Sequence, residues 1–176
     1  VYVAGLVPGP NKPSKAQINR ILQHLVDDLE VLWKSGLIIP TPKSPHGRKI
    51  RAALVPLVCD LPASNDVAGF RNHNATMACP YCWVTKHELG EPDLTFPPRL
   101  SSVHRECAEE WKNAETESEM DTLEQEKGAR WSELLRLRYW NPIQFKVIDS
   151  MHMLSALYER HCRHVLGMSA TAADGD

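Results

Sequence analysis

The sequence has no long hydrophobic run. Its longest uncharged apolar stretches, such as residues 52–59, fall far short of the roughly 20 residues a bilayer-spanning helix needs. No sign of charge prevails either. Lys and Arg number 20 against 22 Asp and Glu, so no global charge points to nucleic acid or to a membrane. The opening residues lack the basic start and the small-residue cleavage site of a secretory signal. Cysteine is scarce: five residues, an odd count, unevenly spaced. That argues against a disulfide framework and fits a reducing, intracellular compartment rather than a secreted protein. What is present suffices for a core. Hydrophobic residues make up 43%, which excludes wholesale disorder, and 176 residues match one domain. The sequence opens on Val1 rather than Met, inside an apolar run, and so reads as a piece of a longer protein.

Charge is distributed unevenly. Residues 106–126 hold nine acids and one base, Lys112. The rest then carries 13 acids and 19 bases, a balance of +6. An acidic helical segment thus stands against a basic remainder, with clusters at Lys43, Arg48, Lys49 and Arg51, at Arg130, Arg136 and Arg138, and at Arg160 and Arg163. Such a remainder can hold a phosphate backbone or simply be a solvated surface.

The elements read as follows. Residues 1–7 form a β-type run stopped by Pro8-Gly9-Pro10. Ser14 and Gln17 make a capping box for a helix whose apolar face is Ile18, Ile21, Leu22, Leu25, Leu29, Leu32 and Trp33, stopped by Gly36. Residues 41–47, with two prolines and a glycine, predict a loop, and residues 50–59 a strand with Pro56 at a bulge or edge. Residues 65–98 read as loop. A long charged helix is expected from Ser101 to about Lys127, a short one from Arg130 to Leu137, and an apolar link at 145–148. A last helix runs from Asp149 or Ser150 to Gly167, before a fraying tail over 170–176. The sum is a mixed, helix-rich α/β fold.

Cys79-Pro80-Tyr81-Cys82 is the sharpest local signal. A C-x-x-C places two thiolates where they can share one zinc ion, which is the favoured reading. A glutaredoxin-like redox dithiol and a pair of ordinary buried cysteines are the alternatives. The redox reading is weakened because the pair follows Asn72-His73-Asn74-Ala75-Thr76, which is not strand-like. Candidate further zinc ligands are His73, His87, His104, His152, His161, His164 and Cys107. Two acids also stand out. Asp60 ends an apolar strand, where a carboxylate is held rigidly enough for metal-dependent phosphoryl transfer, or else caps the turn at Pro62. Asp149 opens the last helix with His152 one turn on, either as an N-cap beside a lining histidine or as a carboxylate–imidazole pair that binds metal.

Several runs taken together resemble one family. They are Gly5-Leu6-Val7-Pro8-Gly9-Pro10-Asn11-Lys12-Pro13-Ser14, Val26-Asp27-Asp28-Leu29, the stretch from Arg51 to Ala63, Val67-Ala68-Gly69-Phe70, the cysteine pair, Arg130-Trp131-Ser132-Glu133-Leu134-Leu135 and Ile148-Asp149-Ser150-Met151-His152. These resemble the CACTA (En/Spm-like) transposases, in particular the Plavaka-type elements of mushroom-forming fungi, over nearly the whole chain. The resemblance implies a ribonuclease H-like catalytic domain with two aspartates and a glutamate holding Mg²⁺ or Mn²⁺. Such an enzyme cuts DNA at transposon ends and joins it to a target, acts in the nucleus, and can be a homo-oligomer. Asp60 then matches the second catalytic aspartate, and Cys79 and Cys82 match a C-x-x-C thought to bind Zn²⁺. His104-Arg105 resembles a downstream His-Arg pair, and Asp149-Ser150-Met151-His152 matches a D-x-x-H signature in the helical insertion. Arg48, Lys49 and Arg51 become candidate DNA contacts.

On this reading residues 1–64 are part of an incomplete ribonuclease H-like core and 65–100 a zinc-motif loop region. Residues 101–169 are the zinc-supported helical insertion, and 170–176 the tail. The other two catalytic acids fall outside the sequence, so the chain by itself is expected to be an inactive fragment. A non-catalytic DNA-binding or interaction module is the alternative.

Overall fold

Helix α1 spans Lys15–Lys34 and begins as the sequence predicts. Ser14 accepts a hydrogen bond from the Gln17 amide at 3.3 Å, and the Gln17 side chain accepts one from the Ser14 amide at 2.8 Å, closing the capping box. The stop is also the predicted one: Gly36 takes φ 71 and its amide reaches the Val31 carbonyl at 2.8 Å. In this computed structural model residues 3–7, 9–72, 75–77, 79–91 and 94–168 are described; His73 and the expected tail over 170–176 lie outside them. Only Leu22 and Val26 of α1 are buried, so much of its apolar face, including Ile21, Leu25 and Trp33, stays exposed.

Residues 37–50 depart from expectation. Most of the loop expected over 41–47 is strand: a β-hairpin runs here, with strand β1 at Leu37–Thr41, a turn at Pro42 and Lys43, and strand β2 at Ser44–Ile50. The strands are antiparallel, Ile38 opposite Lys49 and Ile39 opposite Arg48, with an irregularity between Ile39 and Thr41. The prolines read as breakers, but a two-stranded ribbon has two open edges where a missing amide costs nothing. The expected strand over 50–59 shrinks to β3 at Leu57–Cys59. The expected strand at 1–7 is not found: residues 3–7 take no regular structure, having no neighbouring strand among the described residues to complete a ladder.

After β3 the chain enters helix α2, Leu61–Ala68, where a loop was expected from Asn65 onward. Pro62 sits in its first turn, where its missing N–H would have been unpaired in any case. Gly69 ends the helix at φ 78, and a Cβ there would lie 2.4 Å from the Arg130 carbonyl. The expected long acidic helix is two helices, α3 at Ser101–Asn113 and α4 at Glu117–Lys127. Thr116 breaks it by capping α4, accepting from the Glu119 amide at 3.2 Å. The short helix expected at 130–137 is a single 3₁₀ turn, Glu133–Arg136. The link at 145–148 is strand β4, Lys146–Ile148, which pairs parallel with β3. Helix α5, Ser150–Arg160, follows and runs into a π-helical turn at His161–Val165. Every residue of α5 is exposed. The chain is thus a mixed, helix-rich α/β protein with two separate two-stranded sheets among the described residues. Among the described residues no helix is long and apolar enough to cross a membrane.

The core gathers Val26, Ala68, Phe70, Ala108, Trp131, Leu134, Leu135, Leu137 and Trp140. Buried charge ties the helices around it. Arg130 bonds Asp66 at 2.9 Å and Glu124 at 3.4 Å, and Lys15 reaches Glu124 at 2.5 Å, so α1, α2 and α4 share one ion network. Each buried member has a partner, which is the condition for such a network to stabilise rather than strain the fold.

Candidate functional site

The β3–β4 register decides the geometry. Leu57 pairs with Lys146, Val58 with Val147 and Cys59 with Ile148. The next residue on each strand is an aspartate, Asp60 and Asp149. Parallel neighbours lie about 4.8 Å apart, so the two aspartates follow the same end of one small sheet on adjacent strands. Each then caps the helix that follows. Asp60 accepts from the Ala63 amide at 2.7 Å, and Asp149 from the Met151 amide at 3.2 Å. The capping readings therefore hold for both, and they leave chemistry open. Among the described residues nothing donates to the second oxygen of Asp60. That of Asp149 meets Nδ1 of His152, as the i+3 spacing predicts. His152, then the Met151 amide, holds the Asp149 carboxyl below the usual carboxylate range.

A cleft of about 300 Å³ opens at this end of the sheet. Cys59, Tyr81, Lys146, Ile148, Asp149 and His152 are among its lining. The Cys59 thiol is pushed up, first by burial and then by the charges of Asp60 and Asp149, so it stays protonated. The Tyr81 hydroxyl donates to the Lys146 carbonyl at 3.0 Å, which ties the cysteine-pair loop to β4.

Cys79 and Cys82 are free thiols with sulfurs 3.5 Å apart. Two sulfurs on one tetrahedral zinc, each bond about 2.3 Å, lie roughly 3.8 Å apart. The pair fits half of such a site, and the Tyr81 amide donates to Cys79 Sγ at 3.4 Å. Arg99 braces the loop, its Nε bonding the Cys79 and Cys82 carbonyls at 2.9 and 3.3 Å. No group of three or more His, Cys, Asp or Glu converges among the described residues. Cys79 opens no helix, and the Cys82 thiol is pushed up by burial and by its partner Cys79. Both are the reverse of an activated redox thiol.

His104 and Arg105 have definite structural positions. His104 is 2% exposed, its ring 4.3 Å from that of Phe70. Its nitrogens find no well-formed hydrogen bond, although the ring approaches the Ala68 backbone. Burial, with Arg99 close by, holds its pKa down to about 3, so the imidazole is neutral. Arg105 gathers the carbonyls of Leu135, Leu137 and Trp140 at 2.6, 3.2 and 2.5 Å. Sequence reasoning singled out this dipeptide by resemblance; in the structure Arg105 clamps the 3₁₀ turn to the segment that follows it.

Of the candidate DNA contacts, Arg48 and Lys49 stand exposed on β2. Arg51 is exposed as well but engaged, its Nε donating to the Trp33 carbonyl at 2.8 Å and its guanidinium 5.7 Å from the Trp33 ring. Sequence reasoning did not single out Lys146. No motif marked it, and only the strand register brings it to the cleft.

A model of the transposase family tnp2 matches residues 1–91. No curated protein and no solved structure matches the chain.

Proposed function

The chain belongs to the transposase family tnp2, and from that premise we propose that it carries part of the metal-dependent DNA strand-cleavage and strand-transfer domain of a CACTA-type, cut-and-paste transposase. The observation that carries this reading is the parallel register that brings Asp60 and Asp149 to the same end of one small sheet, with Asp149 lining a cleft there. Asp60, with one oxygen open, and Asp149, oriented by His152, are the residues that would hold Mg²⁺ or Mn²⁺. Such ions, when bound, supply an activated water or 3′-hydroxyl and stabilise the leaving oxygen. The protein's own part is to fix the two carboxylates on adjacent strands and to exclude solvent with the cysteine-pair loop.

The same proposal takes residues 1–64 as part of a ribonuclease H-like core, 65–100 as the zinc-motif region and 101–169 as the helical insertion, with Cys79 and Cys82 as zinc ligands. Transposon ends and target DNA are the partners, in the nucleus, and Arg48 and Lys49 track phosphates without reading sequence. Changing Asp60→Asn in the complete transposase tests the assignment. Loss of strand cleavage with DNA binding intact is expected, and retained cleavage overturns it.

A second reading is a zinc-supported DNA-binding module without chemistry. It is favoured by the lack of a third converging acid or histidine among the described residues. It predicts salt-sensitive, sequence-indifferent DNA binding together with cleavage that never depends on Asp60. The redox reading is the least supported, because Cys82 is shifted away from the thiolate.

A further inference from the structure

The hairpin of β1 and β2 takes almost no part in the packing around it. Every residue of β1 is exposed, and so is most of β2. Ile38 is 70% exposed and Ile39 41%. A two-stranded ribbon alone in water is marginally stable, yet this one is firmly rooted. The Gly36 amide donates to the Val31 carbonyl at 2.8 Å and the Ala52 amide to the Leu32 carbonyl at 3.3 Å, so both ends of the ribbon are tied to the last turns of α1. Arg51 adds its bond to the Trp33 carbonyl, and the Trp33 ring lies 4.4 Å from that of Tyr139. The root is fixed to the body, and the two strands beyond it are left for a partner.

Charge selects that partner. From Ser35 to Cys59 the chain holds Lys43, Arg48, Lys49 and Arg51, and no Asp or Glu. Lys43 sits in the turn at the tip. The complement of this ribbon is therefore an anion. The register then places the cations. Directly opposed residues share a face, and successive residues alternate. Arg48, opposite Ile39, lies on one face, and Lys49, opposite Ile38, lies on the other. A flat anionic surface can meet only one of them. Two anionic walls with the ribbon between them meet both.

Duplex DNA offers such walls. Stacked sheets lie about 10 Å apart, so one ribbon with its side chains is about that thick. The major groove is about 12 Å wide and admits a two-stranded ribbon, whereas the minor groove is only about 6 Å wide. We propose that the β1–β2 hairpin enters the major groove of duplex DNA, with Arg48 and Lys49 each contacting the phosphates of a different strand. This rests on the transposase reading above and deepens it: the two phosphate contacts become a grip across one groove. Contacts to phosphates fix position and carry no sequence information. Ile38 and Ile39, exposed beside the two cations, are covered by the groove.

The test uses the full chain with a short DNA duplex of unrelated sequence. Wild type, Arg48→Ala, Lys49→Ala and the double variant are compared by fluorescence anisotropy across a salt series. Each single change should lower the steepness of log K against log salt by about 1, and the double change by about 2. Both side chains are exposed, so the variants should keep the fold. The groove is read separately by dimethyl sulfate, since guanine N7 lies in the major groove and adenine N3 in the minor. Bound wild-type chain should protect guanine N7 and leave adenine N3 reactive, and the double variant should lose that protection. A salt dependence that responds to only one of the two residues overturns the proposal, because the ribbon would then lie on DNA by one face. Protection of adenine N3 alone, or no DNA-dependent protection, as expected if the ribbon docks on an acidic protein instead, overturns it as well. None of these results bears on the Asp60→Asn cleavage test, so the two ideas fail separately.

Discussion

Asp60 and Asp149 stand one residue beyond a matched pair of a parallel ladder, Cys59 opposite Ile148, and each caps the helix that follows its strand. Two residues 89 positions apart in the chain are thus made neighbours by three paired residues on each side. The cap uses one oxygen of Asp60, and the proposed metal would take the other. The cap explains why the carboxylate is rigid, and rigidity is what a metal-dependent reaction asks of it.

This division of labour can be measured. Asp60→Ala should lower stability by about 1 kcal/mol through loss of the cap, whereas Asp60→Asn should cost only a few tenths. Both should abolish strand cleavage in the complete transposase. Urea denaturation read beside cleavage separates the two roles. Equal stability losses in the two variants would show that the cap contributes nothing.

Arg105 gathers one carbonyl of the 3₁₀ turn, that of Leu135, and two of the segment after it, those of Leu137 and Trp140. A lysine cannot fork to reach them together. Arg105→Lys should therefore destabilise the chain by about 2–3 kcal/mol. A shift of the denaturation midpoint too small to resolve would contradict the clamp.

His104 gives the fold a pH dependence of known sign. Its folded pKa is held down to about 3, against 6.5 when unconstrained. The unfolded chain thus binds the proton first as pH falls. The stability tied to neutral His104 is complete above about 6.5 and is lost progressively as pH falls toward 3. Replacing it by His104→Phe should flatten the stability profile across that window. Identical profiles for the two proteins would count against a neutral buried imidazole.

The cysteine pair predicts metal. The purified chain should carry zinc, and Cys79→Ser or Cys82→Ser should release it and lower the denaturation temperature. Protein that stays zinc-free when zinc is supplied, with an unchanged melting curve, would leave the pair as ordinary buried thiols.

Local signals were legible in the sequence. The Ser14–Gln17 box, the Gly36 stop and the Asp149–His152 pair are set by residues within five positions of one another, and all stand where the spacing placed them. The mixed α/β class was legible for the same reason. The hairpin at 37–50 was hidden because proline reads as a breaker until the strand is known to have an open edge. Helices α3 and α4 merged into one because acidic, helix-favouring residues run through the Thr116 cap that divides them. Lys146 could not be found at all, since a lone lysine before two β-branched residues carries no motif. Its burial in the cleft wall comes from tertiary packing.

The most direct measurement of the central claim is the response of the carboxyl carbons of Asp60 and Asp149 to Mn²⁺, followed by ¹³C NMR on the full chain. If the two acids form one divalent-metal site, both signals broaden together at the same low Mn²⁺ concentration, and Asp60→Asn weakens the broadening at Asp149. Signals that broaden independently, or not before the exposed acids of α4 do, would contradict a shared site and with it the catalytic reading.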